Sequence, residues 1–527
     1  MRPHTWMATM AALGLTALLT PTLFAQKDEP ATDGVEVLAR GPVHEAFAAP
    51  AQARPLPAQI VPKKPPDPIQ EVPPDQKPAD DQVIWIPGYW NWDDEAKDFL
   101  WVSGFWRIPP PNCQWMPGNW QQVQDGWQWT AGFWTAANQQ EVQYLPAPPP
   151  SVDAGPSTPA PDANSTYVPG CWVYRQTRFL WQPGFWLGYQ PDWVWSSSHY
   201  VWTPGGYVYV NGFWDRPLER RGLLFAPIHV ASALLGTQWA YTPRYVVQPD
   251  FLLGALFVRP SYCHYYFGDY FEPGYARSGF MPWFDYRISK GSYDPNFAYY
   301  RHRYSDPRWE RNLRGYYAGR TSGEIPRPPR TLVQQNTVIT NITNNKTVNV
   351  NINKNFSLTN MQNVHALTAV TRIHNVPVTG LASLDPARAG NRTGTSHIIK
   401  METMSRAQQT QARQAIVESR AAAQQRQLAE AKILSGSAAP TRATDPPRRV
   451  QLQPPKTTPI PRFGQAPARA KEPAPQPRKS SPQPQAQGRP QPQPRPQPPP
   501  QPKPPPQVER PIPPHQPPPP AKPPKRN

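Results

Sequence analysis

The chain has 527 residues, 77 of them proline, and a formal net charge of +18 from 54 Lys plus Arg against 36 Asp plus Glu. Proline at this density, gathered in blocks, excludes a string of several compact domains and leaves residues 83–330 as the part able to pack. Past the first 25 residues, no stretch holds the roughly 20 apolar residues that a membrane-spanning helix needs.

Residues 1–25 read as a secretory signal peptide. Arg2 and His4 open it, an apolar run follows from Met7 to Leu19, and Leu23-Phe24-Ala25 ends on a small residue. Gln26 stands where a lipidated cysteine would be needed for an anchor. The expected location is therefore the periplasm, the cell surface or the extracellular space, with no transmembrane segment in the mature chain. Residues 26–82 are rich in Pro, Ala and charge and read as a disordered leader.

Two blocks follow, 83–135 and 166–215, separated by a Pro-rich linker at 136–165. Both repeat the string W-x-x-G-x-W. Clear copies start at Trp85, Trp101, Trp115, Trp129 and Trp181; near copies start at Tyr167, Trp202 and Tyr209. Starts at Trp101, Trp115 and Trp129, and at Tyr167, Trp181 and Tyr209, fit a 14-residue period, which also picks out a degenerate copy, Trp195-Ser-Ser-Ser-His-Tyr200; the step from Trp85 to Trp101 is 16. Steps of 7 suit one short strand plus a tight turn. Pro-Gly at 87–88, 117–118, 169–170, 183–184 and 204–205 reads as a turn, with glycine accepting a positive φ. As a two-residue turn it sets Ile86 opposite Tyr89 and Trp85 opposite Trp90. A type II turn splays strands, however, which leaves a bulge or a corner as the other option. Asn211-Gly212 has the residues of a type I′ turn.

Alternation puts Trp90, Trp92, Phe99 and Trp101 on one face, with the surplus residues 93–98 as a loop tip. It groups Trp172, Tyr174, Phe179 and Trp181 in the same way. The fold class expected is mainly β: aromatic-rich antiparallel hairpin repeats, one C-terminal helix and long disordered Pro-rich segments. The candidate aromatic face comprises Trp85, Trp90, Trp101, Trp106, Trp115, Trp120, Trp129, Trp134, Trp172, Trp181, Trp186, Trp202 and Trp214. It is the core of a thin sheet, a platform for stacking sugar rings, or both, with core in the middle and platform at the rim. The turn glycines expected with it are Gly88, Gly104, Gly118, Gly132, Gly170, Gly184, Gly205 and Gly212.

These periodic copies resemble the bacterial YXWGXW-repeat-containing proteins over about 100 residues, although Trp195/Tyr200 lacks the glycine and Trp202/Tyr207 ends in Tyr. The resemblance implies an exported or envelope role and brings no catalytic residues.

Residues 216–330 interleave aromatics with Arg and read as a β extension, with 251–258 a buried strand or short helix. No G-x-S-x-G, G-x-x-x-x-G-K, H-E-x-x-H or C-x-x-C string occurs. No catalytic residue, metal ligand or cofactor is therefore assigned. The one enzymatic alternative is a secreted hydrolase using His264, His302 and Asp269. Cys113, Cys171 and Cys263 are either isolated small hydrophobes or include a Cys113–Cys171 bridge. Residues 331–362 read as an Asn/Val hairpin, 363–399 as a linker and 400–435 as a helix with a weak Ala415, Ala422, Ala429 stripe that suits a lone, partly frayed helix.

Residues 436–527 read as a disordered tail. From residue 441 on, 16 Lys plus Arg face 3 Asp plus Glu, or +13. The favoured expectation is a non-enzymatic envelope protein: an aromatic assembly module whose basic tail tethers it to an anionic polymer. The alternative is a module binding cell-wall polysaccharide. Self-association fits the Asn-rich hairpin. Nucleic acid does not fit export or any known binding signature.

Overall fold

The computed structural model of the protein describes residues 34–52, 54–247, 249–262, 264–286, 292–304, 307–335, 337, 370–373, 376–379, 381–383, 401–436, 440, 445–452, 467 and 472–476. Contacts divide the chain into Met1–Pro477 and Arg478–Asn527, and every described residue lies in the first unit. The expected signal peptide, the Asn/Val hairpin beyond residue 337, Cys263 and the tail after residue 476 lie outside the described residues.

The fold is mainly β, as the alternation predicts, and antiparallel hairpins dominate it. Four long hairpins form the repeat region. Hairpin 1 runs through Ile84–Ile86, Tyr89–Asp93, Asp98–Val102 and Phe105–Arg107. Hairpin 2 uses Cys113–Met116, Asn119–Val123, Gly126–Thr130 and Phe133–Ala136. Hairpin 3 uses Ser165–Val168, Cys171–Arg175, Arg178–Gln182 and Phe185–Gly188. Hairpin 4 uses Val194–Ser196, His199–Thr203, Gly206–Val210 and Phe213–Asp215.

Each hairpin is built from two motif copies, one per arm. Near the tip Trp90 faces Trp101; past a break in the ladder, in the same register, Trp85 faces Trp106. The pattern recurs as Trp120/Trp129 with Trp115/Trp134, Trp172/Trp181 with Tyr167/Trp186, and Tyr200/Tyr209 with Trp195/Trp214. The one-face groups around Trp92/Phe99 and Tyr174/Phe179 are found as expected.

The pairing of Trp85 with Trp90, and of Ile86 with Tyr89, is corrected. Ile86 faces Phe105 and Tyr89 faces Val102. Pro87-Gly88, Pro117-Gly118, Pro169-Gly170 and Pro183-Gly184 are corners within a hairpin arm, because proline has no N–H to continue the ladder. Asn211-Gly212 is also a corner, between Gly206–Val210 and Phe213–Asp215. Pro204-Gly205 does lie in a hairpin turn, between Thr203 and Gly206. Trp202/Tyr207 is thus an ordinary pair beside that turn, and the degenerate Trp195/Tyr200 is the structural copy.

The leader is a second correction. From residue 34 on it threads across the repeats in short edge strands. Val35–Val37 pairs with Ile228–Val230, Ile60–Val61 with Trp127 and Gln128, Gln70–Glu71 with Ala240–Tyr241, and Gln76–Pro78 with Met401–Thr403. Proline permits such two- and three-residue edge pairings while forbidding a central strand. Val43, Phe47, Val61 and Ile69 are buried, which fixes the path. The linker 136–165 and the tail are corrected in part by the same means. Glu141–Tyr144 pairs with Arg448–Gln451, and Gln476 bridges to Trp181.

Residues 216–330 are mixed rather than a β extension. A four-stranded sheet orders Gly41–Pro42, His264–Phe267, Leu256–Arg259 and Met281–Pro282. The helices of this region are Pro249–Gly254, Pro273–Arg277, Pro295–Arg303 and Trp309–Ser322, the third lying along Val194–Ser196 of hairpin 4. Asp294 caps the third by accepting from Phe297 N at 2.8 Å, with proline at the first helical position.

The predicted C-terminal helix forms as Arg406–Ser435, opened by a capping box of Ser405 and Gln408. It is not a lone helix. Ala412, Ile416, Ser419, Ala422, Arg426, Glu430 and Ile433 are buried at helical spacing, and Ala422 alone of the expected alanine stripe is fully among them.

Candidate functional site

Each fixed position of W-x-x-G-x-W has a physical duty once two copies face each other. The first aromatic of one copy meets the sixth of the other. Trp85–Trp106, Trp90–Trp101 and Trp195–Trp214 meet edge-on with ring centroids 5.0, 5.1 and 5.0 Å apart. Such contacts contribute roughly 0.5–1.5 kcal/mol each beyond buried area. The glycine lies against the first aromatic of the facing copy. A Cβ would come within 2.3 Å of Trp115 at Gly132, 2.4 Å of Trp129 at Gly118, and 2.5 Å of Trp181 at Gly170. None of the eight motif glycines has a positive φ. Their role is ring and strand clearance, which corrects the expectation of a turn conformation. Gly205, in the true turn, has nothing nearer than Ile433 at 3.6 Å.

The interrupted ladder leaves glycine N–H groups that need acceptors. In each hairpin a carboxylate from a Pro- or Ala-rich segment serves the corner. Glu71 accepts from Gly88 N at 2.9 Å through Oε2, and from Gly104 N at 2.8 Å and Trp101 Nε1 at 3.0 Å through Oε1. Glu45 accepts from Gly132 N at 2.7 Å and from the Trp129 indole. Asp153 accepts from Gly170 N at 2.6 Å and Tyr167 Oη at 3.0 Å. In hairpin 4, Ser198 occupies the glycine place of the degenerate copy. Its hydroxyl accepts from Gly212 N at 2.9 Å and donates to Glu472 Oε1 at 3.1 Å, while Gln182 Nε2 donates to Glu472 Oε2 at 3.1 Å.

Carbonyls at the corners are served as well. His44 Nε2 donates to Pro87 O at 3.1 Å, and Arg426 Nη1 donates to Pro117 O and Ala131 O, both at 2.9 Å. Sixth-position indoles then hold the backbone of the acid-bearing segment. Trp90 donates to Asp67 O and Trp106 to Gln76 O, both at 3.0 Å. Trp172 donates to Pro150 O at 2.9 Å and Trp186 to Thr158 O at 3.1 Å. Hairpins 1 and 3 therefore grip a segment alike, three or four residues before the acid and five after it. We call this arrangement a carboxylate clasp.

The clasps differ electrostatically. Burial pushes the Glu71 carboxyl above its ordinary value, against the Trp101, Gly88 and Gly104 donors and the Arg420 charge. Burial also acts on Glu45, but His264 Nε2 at 3.0 Å, together with the Trp129 and Gly132 donors, outweighs it and holds Glu45 below its ordinary value. Burial lowers His44 to about 4, so it stays neutral and donates through Nε2.

Of the thirteen candidate tryptophans, Trp85, Trp90, Trp101, Trp106, Trp115, Trp134, Trp172 and Trp214 are buried. Trp120, Trp129, Trp181, Trp186 and Trp202 are half-buried. A flat exposed platform made by all thirteen is excluded, and the face is chiefly core. Half-buried rings border a cavity of about 470 Å³ between hairpins 1 and 2, where Trp120, Trp127 and Trp129 meet Pro66, Arg420 and Gln424. The histidine and aspartate of the hydrolase alternative take separate partners. His264 pairs with Glu45, His302 meets Thr166 at 2.7 Å, and Asp269 pairs with Arg330 at 2.8 Å. Cys113 and Cys171 are free and buried, not bridged, and burial pushes both thiols up to about 12.

Comparisons with family models, curated proteins and solved structures find no match. The clasp acids Glu45, Glu71, Asp153 and Glu472 went unmarked by sequence reasoning. No local signal separates them from the other acids of the same Pro- and Ala-rich segments, such as Asp67, Asp75 and Asp162.

Proposed function

We propose that the protein is a non-enzymatic exported scaffold, akin to the repeat proteins it resembles. Its hairpins gather extended segments of chain, and its basic end tethers the assembly to an anionic envelope polymer. The observation that carries this reading is the clasp. The motif residues are engaged in ring pairs and in holding chain segments, which suits assembly rather than turnover. No helix among the described residues is long and apolar enough to cross a membrane. Residues after Gln476 carry 9 Lys plus Arg against 1 acid, or +8. Truncation after Gln476 leaves the docked tail pieces in place and should abolish sedimentation with isolated envelopes at low salt. Cosedimentation unchanged by the truncation, and insensitive to salt, would remove the tether.

The cavity beside Trp127 and Trp129 favours a second reading, a site for one or two sugar rings. Aromatic faces with a nearby guanidinium and amide are the usual furniture of such sites. Cell-wall oligosaccharides should then shift tryptophan emission, with the shift lost in Trp127→Ala. No shift at millimolar ligand would dismiss the site.

A further inference from the structure

We propose that the clasp of hairpin 4 is a binding site for an extended, proline-rich peptide bearing one carboxylate. Glu472–Gln476 fills it in this chain, and the same segment of a second copy can replace it. The inference rests on the reading of the repeats as an interaction module and names its ligand.

Three observations carry it. First, the clasp is a recurrent recognition device. A carboxylate takes the corner N–H directly in hairpins 1–3 and through Ser198 in hairpin 4, on segments drawn from the leader, the linker and the tail. Second, the Glu472 segment binds in the manner of an added strand. Gln476 N donates to Trp181 O at 2.8 Å and Trp181 N donates to Gln476 O at 3.1 Å, on the edge of hairpin 3. Its carboxylate meanwhile reaches Ser198 in hairpin 4 and Gln182 in hairpin 3. Main-chain bonds of this kind give affinity, and one anchored side chain gives specificity. Third, the segment lies at the surface. Ala474 and Gln476 are exposed and Glu472, Pro473 and Pro475 half-buried, whereas Glu45 and Glu71 are sealed in the core. Glu472-Pro-Ala-Pro-Gln476 also enters with little backbone freedom to lose, because two of its five residues are proline. Exchange therefore costs no core contact, and a second copy supplies a ligand of identical chemistry.

The test uses the full chain carrying Glu472→Lys, which empties the clasp of its own acid, and a fluorescein-labelled peptide of residues 468–479. The peptide should bind this variant saturably, and bind the wild-type chain at least roughly tenfold more weakly because the intrachain segment competes. The peptide with Glu472→Gln should bind the variant roughly tenfold or more weakly, since a charged hydrogen-bond set is lost. Adding Ser198→Ala to the Glu472→Lys chain should weaken the native peptide by a similar factor. For exchange between chains, the Glu472→Lys chain mixed with a Ser198→Ala chain should give a mixed dimer that neither forms alone at the same concentration. Equal binding of both peptides, no binding to the folded variant at millimolar peptide, or no mixed dimer would overturn the proposal. Near-ultraviolet circular dichroism identifies any variant that has lost its aromatic packing, and Gln182→Ala then replaces it in the same assay. Envelope sedimentation is measured separately, so the scaffold reading and this one can fail independently.

Discussion

Glu71→Ala is expected to lower the stability of the described domain by about 3–5 kcal/mol, seen as a fall in the denaturant midpoint at constant slope. The carboxylate serves three donors at once: Gly88 N, Gly104 N and Trp101 Nε1. Trp101 is fully buried and Gly104 lies in the closed corner. Deleting the acceptor leaves these groups without water or protein to bond, and each buried orphan costs about 1–3 kcal/mol. Alanine also leaves a void where the side chain crossed the corner. Glu71→Gln should fall between, since one oxygen remains while the amide group meets an N–H. A loss under about 1 kcal/mol in Glu71→Ala would mean that the corner opens to solvent and that the clasp is not structural.

Asp215→Ala should cost a similar amount, about 3–5 kcal/mol, for a different reason. Asp215 Oδ2 lies 2.6 Å from Arg107 Nη2 and 3.1 Å from Arg221 Nε, with all three side chains buried. Arg107 also donates to Ala46 O at 2.8 Å, and Arg221 to Phe47 O at 2.7 Å. The cluster therefore ties the outer strand of hairpin 1, the last strand of hairpin 4 and the leader together. Burial pulls Arg107 down to about 10, with Asp215 opposing. Without the aspartate, two buried guanidinium groups lose the carboxylate that both of them contact. Thermal denaturation followed by tryptophan fluorescence measures the loss. A shift no larger than that of a surface substitution would show that water reaches the cluster. Replacing only the charge, as in Asp215→Asn, should keep part of the hydrogen bonding and cost less.

The two losses should also differ in kind. The Glu71 carboxylate hydrogen-bonds to hairpin 1, whereas the Asp215 cluster joins hairpin 1, hairpin 4 and the leader. Substitution at Asp215 should consequently lower the cooperativity of unfolding as well as its midpoint, and the Glu71 change should not.

Parts of this architecture are legible in the residues. Strand alternation places Trp90 with Trp101 and Trp172 with Trp181, because a period of two allows one face for each set. The helix of 406–435 is legible from its alanine, glutamine and arginine content and its Ser405/Gln408 cap. Residues 216–330 were harder, because aromatic enrichment favours a strand reading. The opposing signals were local: Asp294-Pro295 at a helix start, and Trp309, Leu313, Tyr316, Tyr317 and Arg320 spaced for one helical face.

The acids of the clasps illustrate what sequence withholds. Glu71 and Asp153 stand in segments with no hydrophobic period, so nothing local distinguishes them from the charges of a solvated linker. They become ordered only because a corner elsewhere has N–H groups without partners. Phe47, Val61 and Ile69 act in the same way for the leader: each is apolar and isolated in sequence, and each finds its pocket only in the assembled core.

The W-x-x-G-x-W string by itself determined that the chain forms short antiparallel strands with paired aromatics on one face, since ring pairing and strand alternation are local consequences of residue type and spacing. It left open which copy faces which. A motif folded on itself and two motifs facing each other place the same residues at the same intervals. The tertiary structure decided in favour of facing copies: the ladder breaks at each corner, at proline in one or both arms of hairpins 1–3, and corner glycine N–H groups are met by carboxylates from distant segments in hairpins 1–3 and by Ser198 in hairpin 4. That long-range demand for hydrogen-bond partners turned the repeat from a row of turns into a set of clasps.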